Sequence, residues 1–545
     1  MERKRWTRRQ VIGTIAIMPL AANTTVSFAS DLFLLKPKVV RCKLLNSEGE
    51  PYDVKKMTRF YICDLKLRPS QVDPQFSPGE ILFLPVDEPF RISLPVEVPG
   101  FGEVFCYADN RGIGFTAKSL EKKDVIFLNY EFAADRLATV HRIMEECRQS
   151  NINLTSEITK KVTSAENFFS QCNDAKTDDK TAAKWAMESL RESLWAGEMI
   201  VIERAKQNII KNGARKGFMF GCNAFRFRDY GNPYTKYFES LFNFATLPFY
   251  HASTERVQGK PDYSRIDQSL VALQNTQIIP KGHPLIFFTP SVTPTWAKNK
   301  TYAEIKQICL NYIEQTILRF RGRIHIWDII NEAHVQPDIK FGETLFNGYT
   351  KENAIDLSCA AAKKAREADP ICFRVVNSTG TWCDYYMGRQ PSPWQQNVYD
   401  YLKALEDAKC DFEAIGLQYY HSGRDLLEFE RNLEVYKNFG KRIHITEVQI
   451  PSSSAEVTGA DWWGGGVGGS HFPWHGKEFT ETIQADWAES VYTMLYSKTY
   501  VDAITWWDMT DPAFVPHGGF FNQDMSPKES YSRLKTLLDK WKNVT

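Results

Sequence analysis

This sequence predicts an α/β fold: a closed (β/α)8 TIM barrel preceded by a small β-sandwich-like domain and a helical connector. Three observations carry that reading. Eight β-like runs alternate with helical segments over residues 213–545, the pattern of parallel βα units. Residues 30–132 hold short β-rich runs punctuated by proline and glycine, whereas in 133–212 charged and apolar residues recur at helical spacing. At 545 residues the chain has room for a barrel and more.

The first 29 residues stand apart from this fold. Arg3, Lys4, Arg5, Arg8 and Arg9 precede an apolar stretch, Val11 to Ala22, too short to cross a bilayer comfortably, and Ser27-Phe28-Ala29 offers a small-residue cleavage site. Residues 1–29 are therefore expected to be a secretory signal peptide. Thr7-Arg8-Arg9-Gln10-Val11-Ile12 resembles the twin-arginine export signal of bacteria, with an ordinary basic leader as the alternative. The expectation is export to the periplasm or the cell exterior, with no membrane span left after cleavage.

In the domain 30–132, the runs Val39 to Leu45, Arg59 to Leu67, Ile81 to Val86, Phe90 to Val98, Val104 to Ala108 and Val125 to Phe132 are β-rich. They suggest either a carbohydrate-binding module or a structural appendage of the domain that follows. The connector, 133–212, has helical patterning in Arg136 to Arg148 and Lys180 to Lys211, with Asn173 to Lys180 read as a loop.

The barrel strands are expected at Phe218 to Cys222, Phe242 to Thr246, Pro284 to Thr289, Ile324 to Ile330, Phe373 to Asn377, Ala414 to Tyr419, Ile443 to Thr446 and Ala503 to Trp507. An open doubly wound sheet is the alternative; no glycine fingerprint follows the first run to support it.

Composition narrows the function. Hydrophobic residues at 43% and aromatic residues at 13% exclude a disordered or fibrous chain, and 14 Trp with 23 Tyr suit an aromatic-lined cleft. Residues 1–29 hold five of the 67 basic and one of the 66 acidic residues, so their removal leaves 62 against 65. A near-neutral chain has no electrostatic footprint for nucleic acid, while a neutral glycan is compatible with it. The 11 Cys form no C-x-x-C pair, no disulfide is assigned, and no metal or organic cofactor is implied. The chain is expected to be a monomer.

The chemistry is carried by Arg323 to His334, RIHIWDIINEAH. Its apolar run reads as a strand buried on both faces that ends in Asn331 and Glu332, at the face where βα barrels assemble their sites. Glu332 is either a catalyst or a cap for the next helix. Glu447, in IHITEV, ends the seventh run, so two glutamates converge on one face. Glycoside hydrolysis needs such a pair, about 5 to 5.5 Å apart when configuration is retained.

WDIINEA (327–333) and HITEV (444–448), with AAAKKAREADP (360–370), RVVNSTG (374–380), Gln484-Ala485, ITWWDMTD (504–511) and GGFFNQDMSPKESY (518–531), resemble the motifs of glycoside hydrolase family 10, the retaining endo-β-1,4-xylanases. The resemblance covers about residues 217–541. It implies Glu332 as general acid/base, Glu447 as nucleophile and Asn331 as a hydrogen-bond partner of the sugar 2-hydroxyl, with a helix cap as the alternative for Asn331. His283 and Gln418 fall on further site positions, and Trp507, at the end of the eighth run, is either a floor for the reacting sugar or ordinary barrel packing.

Several places depart from the family pattern. The second strand normally ends in an acidic residue and a lysine on the glycone side; here FNFATLPFYHAS (242–253) offers Phe249, Tyr250 and His251, and Tyr250 is taken as substrate-binding. Phe287 and Phe288 stand where a Trp-His pair is usual. On the sixth strand, Gln418-Tyr419-Tyr420-His421 replaces Gln-x-His, so either Tyr420 or, with a bulge, His421 meets the nucleophile. The loop Pro451 to Lys477 carries Trp462, Trp463, His471 and Trp474 around a glycine run; these either stack on sugar or make no contact with it.

The function expected is a secreted retaining glycoside hydrolase of polysaccharide degradation, acting on a β-1,4-linked glycan, with xylan first. A non-catalytic glycan-binding protein on the same barrel and a structural or adhesive surface protein are the alternatives. Retention of both carboxylates argues against each.

Overall fold

The computed structural model describes residues 39–542 apart from 121–124, 176, 337–345, 348, 383–394, 422 and 456–471. The expected signal peptide, Trp462, Trp463, His471 and the glycine run 464–469 lie outside the described residues. Among the described residues no helix is long and apolar enough to cross a membrane.

Eight parallel strands close into a barrel: Met219–Asn223, Phe244–Pro248, Ile279–His283, Ile326–Asn331, Phe373–Ser378, Ala414–Gln418, Arg442–Val448 and Val501–Trp506. The eighth pairs back onto the first, Ala503 opposite Met219. The fourth and sixth are buried at every residue, as strands covered by helices outside and side chains inside must be. The third strand lies earlier than the expected Pro284 to Thr289. Pro284 has no N–H for the ladder, so beyond it only isolated bonds to the fourth strand remain, Leu285 N to Asp328 O and Asn331 N to Ile286 O.

Residues from the strand starts, Met219, Phe244, Ile326, Val375, Ala414 and Ala503, plug the amino end of the barrel with an apolar layer. Nearer the carboxyl end the interior turns polar. Lys281 Nζ and His283 Nδ1 lie 2.7 and 2.6 Å from Asp328 Oδ2, all three buried. A Cβ on Gly282 would stand 2.2 Å from the Trp327 ring, so only glycine lets the third strand pass that indole.

Before the barrel lie two four-stranded sheets. One is ordered Gln75–Ser77, Glu80–Phe83, Val40–Lys43, Ile126–Phe127; the other Pro69–Ser70, Tyr61–Cys63, Arg91–Val98, Gly102–Ala108. Phe60, Phe76, Phe83 and Phe90 join them through a shared aromatic core. Only Ile126–Phe127 of the last expected run is strand, because helix begins at Leu128. Helices Leu128–Gln149, Ser156–Asp174 and Asp179–Asn212 follow; the middle one, capped by Thr155 on Ile158 N, was not anticipated.

These sheets and helices rest on the loops that leave the barrel's sixth and seventh strands. Phe105 N donates to Gly423 O (2.9 Å), and Arg91 pairs with Glu428 at 3.3 Å with both side chains buried. The Arg424 guanidinium lies 3.7 Å from the centre of the Phe105 ring, and His475 Nε2 is 2.7 Å from Glu198. Gly102 meets Gly476 backbone to backbone.

Candidate active site

At the carboxyl end of the barrel the strand termini bring Asn331 and Glu332 from the fourth, Asn377 from the fifth, Gln418 and Tyr420 from the sixth and Glu447 from the seventh to one mouth. Glu332 follows the last paired residue with φ +53°, in the left-handed region that a glutamate adopts only when its surroundings impose it. Its N–H is held by Asn377 O (2.9 Å), and its carbonyl accepts from Val335 N and Gln336 N.

One hydrogen-bond network joins the two carboxylates. Gln418 Nε2 donates to Glu332 Oε1 (2.9 Å). Asn377 Nδ2 donates to Asn331 Oδ1 (2.7 Å) and reaches Glu447 Oε1 (3.2 Å), while Asn377 Oδ1 accepts from Thr446 Oγ1 (2.6 Å). The Tyr420 hydroxyl donates to Glu447 Oε2 at 2.6 Å.

Both carboxyls titrate above the ordinary carboxylate range. Burial is the main cause for Glu447, raised to about 8; the Tyr420 bond opposes it, and the charge of Glu332 adds to it. Glu332 is raised by burial against the donors Gln418, Gln336 and Asn331. Two buried carboxyls in one network titrate as a pair, and at neutral pH such a pair retains a proton. One protonated and one ionised carboxyl on a barrel mouth can protonate a leaving oxygen while attacking a carbon.

Around the pair, Trp507 packs against Phe225 (5.7 Å between ring centres) and His283 (5.2 Å), and Tyr250 against Phe225, His283 and Phe287. Asp328 holds His283 by Nδ1, and burial lowers the pKa of that imidazole, favouring the neutral ring.

The predicted residues thus separate by geometry. Glu332, Glu447, Asn331, Gln418 and Tyr420 share the network, and His283, Tyr250 and Trp507 line the mouth. His421 turns away: its Nε2 is 2.8 Å from Phe472 O and its ring packs on Phe479 and Trp487. Period-two alternation after Gln418 brings the Tyr420 hydroxyl to Glu447 and sends the next side chain to the opposite face. Of the expected aromatic surface after the second strand, only Tyr250 faces the site. Phe249 is buried against Trp327 and Phe320, and His251 stacks on Tyr312 while bonding Glu255. Phe288 is buried near Tyr349, and Trp474 is buried beside His475. Asn377 was missed, although the asparagine ending the fifth run, in NSTG, was a visible signal.

A family model described as glycosyl hydrolase family 10 matches residues 212–537, more than half of the chain. The chain belongs to glycosyl hydrolase family 10. It is accordingly a hydrolase of O-glycosyl bonds. Among family 10 relatives, endo-1,4-beta-xylanase B of Thermotoga neapolitana is 24% identical over 301 residues, covering 53% of this chain and 77% of that protein. Endo-1,4-beta-xylanase B of Neocallimastix patriciarum is 22% identical over 176 residues, covering 31% of this chain and 19% of that protein. The crystal structure of native xylanase 10B from Thermotoga maritima covers 62% of this chain and 98% of its own at 21% identity, with a TM-score of 0.46.

Proposed function

We propose that this family 10 chain is an exported retaining hydrolase of β-1,4-linked glycans, xylan first, with Glu332 as acid/base and Glu447 as nucleophile. The observation that carries this is the single network from Gln418 through Asn331 and Asn377 to Tyr420, which holds a carboxylate from the fourth strand and one from the seventh on the same mouth.

In the first step Glu332 gives its proton to the glycosidic oxygen as a Glu447 oxygen attacks the anomeric carbon. The carbon–oxygen bond to the leaving sugar breaks, and a glycosyl ester forms on Glu447. Tyr420 and Asn377 orient the attacking carboxylate, and Gln418 orients the donor. Esterification removes the negative charge of Glu447, which lowers the affinity of Glu332 for a proton. Glu332 then takes a proton from water as its oxygen attacks the same carbon, releasing the sugar with its configuration retained. The Asn331 amide meets the 2-hydroxyl, where binding strengthens as positive charge develops on the ring, and Trp507 supplies an apolar floor.

The test is a panel of β-glycans incubated with wild type, Glu332→Ala and Glu447→Ala. Reducing ends released from xylan by wild type, with both variants lowered by several orders of magnitude, support the reading. No release from any glycan by wild type contradicts it.

A further inference from the structure

The mouth holds a third carboxylate that the proposed chemistry does not use. Asp508 follows Trp507 just past the end of the eighth strand, and Asn223 ends the first. Asn223 Nδ2 donates to Asp508 Oδ1 at 2.8 Å, and Phe514 N donates to Oδ2 at 2.6 Å. Each carboxylate oxygen accepts two hydrogens, so with one donor apiece among the described residues each keeps a place for another. Asp508 retains partial exposure, while Asn223 beneath it is buried. The charge of Asp508 reaches the hydroxyls of Tyr250 and Tyr420, both on this mouth.

The position of this pair matters because the first strand lies between the eighth and the second. Asn223 therefore pairs opposite Thr246 of the second strand and links it to Asp508 at the end of the eighth, while the second strand's own end supplies Tyr250 and no acidic residue or lysine. Phe225, Trp507 and Phe514 belong to one aromatic cluster on this side of the mouth, and Phe514 reaches Asp508 through its backbone N–H. A carboxylate with two free acceptor positions beside an indole and a phenol is suited to a pyranose: the rings take the sugar face and the carboxylate takes two neighbouring hydroxyls at its edge.

We propose that Asp508, braced by Asn223, binds the vicinal hydroxyls of the glycone sugar and is a specificity-determining residue of this site. The inference rests on the glycan-hydrolase reading above and names the side chain that takes over glycone recognition from the second strand.

The experiment compares Asp508→Ala and Asp508→Asn in the full chain, with kcat/KM on an aryl β-xylobioside and, in a Glu447→Gln background, xylotriose affinity by calorimetry. Asp508→Ala is expected to lose about 10- to 100-fold in both, chiefly through KM and Kd, the loss expected for a hydrogen bond to a charged group. Asp508→Asn, which keeps one acceptor, is expected to lose less. If Asp508→Ala fails to fold by circular dichroism, Asn223→Ala replaces it, since it leaves the Phe514 anchor in place; a loss in the same direction is expected. Values within twofold of wild type in a folded variant overturn the inference while leaving the hydrolase reading intact. A wild type that neither binds xylotriose nor cleaves the xylobioside overturns both.

Discussion

The Tyr420 hydroxyl donates a 2.6 Å hydrogen bond to Glu447 Oε2, at the position where the family pattern leads one to expect a histidine. A phenol that ionises only well above neutrality gives this carboxylate a donor that stays neutral over the working pH range. Because the bond favours the ionised form of Glu447, removing it raises the carboxyl's pKa further. Tyr420→Phe is therefore expected to lower kcat/KM by about 10- to 100-fold, as for a lost bond to a charged acceptor. It should also move the acid limb of the pH–rate profile to higher pH. An unchanged limb would show that Tyr420 does not set the ionisation of Glu447.

Burial of Glu447 also has a stability consequence with a definite sign. Burial raises the pKa of its carboxyl to about 8 in the fold against an ordinary value of 4.5, within the pair it forms with Glu332. A raised pKa contributes stability below about pH 4.5 that is lost as pH rises through 8. Glu447→Gln, which cannot ionise, should thus gain stability over wild type progressively between these limits, by up to about 1.4 kcal/mol per pH unit, and hold a constant lead above them. Thermal unfolding of both proteins from pH 4 to 9 measures it.

The Lys281–Asp328–His283 group is fully enclosed, so cutting it leaves a charge without a partner. Asp328→Ala should destabilise the barrel by about 3–5 kcal/mol in urea unfolding, as broken buried pairs do. It should also lower activity, since it frees the His283 ring beside Trp507.

The contact of Gly102 with Gly476 ties the front sheets to the loop after the Glu447 strand. Gly102 has φ +109°, and an added Cβ would fall 2.2 Å from Gly476 N. Gly102→Ala should cost about 1–3 kcal/mol and lower the melting temperature. A variant as stable as wild type would show that the two segments part without cost.

These relationships differ in how far they could be read from the chain. Glu332 and Glu447 were legible because each closes an apolar, β-branched run, and strand ends in a barrel share one face. The choice between Tyr420 and His421 depended on a register that the residues alone left open. Phe249 and His251 looked like cleft surface because an aromatic residue near a strand end reads the same whether it faces sugar or core; only the layer behind the second strand, Trp327, Phe320 and Tyr312, decides. Arg91 pairs with Glu428 and Arg136 with Asp425 where the sheets and helices before the barrel meet it, and none of the four stands out in the sequence. Nothing local in sequence marks a charge whose partner lies hundreds of residues away.

The role of Glu447 as nucleophile is tested most directly by trapping. Wild type is incubated with a 2-deoxy-2-fluoro aryl β-xylobioside, digested and mapped by mass spectrometry. The mechanism proposed here predicts a fluoroxylobiosyl adduct on the peptide containing Glu447, at that side chain, and its absence in Glu447→Gln. An adduct on another residue, or no adduct together with inverted product from an unmodified aryl xylobioside, would contradict it.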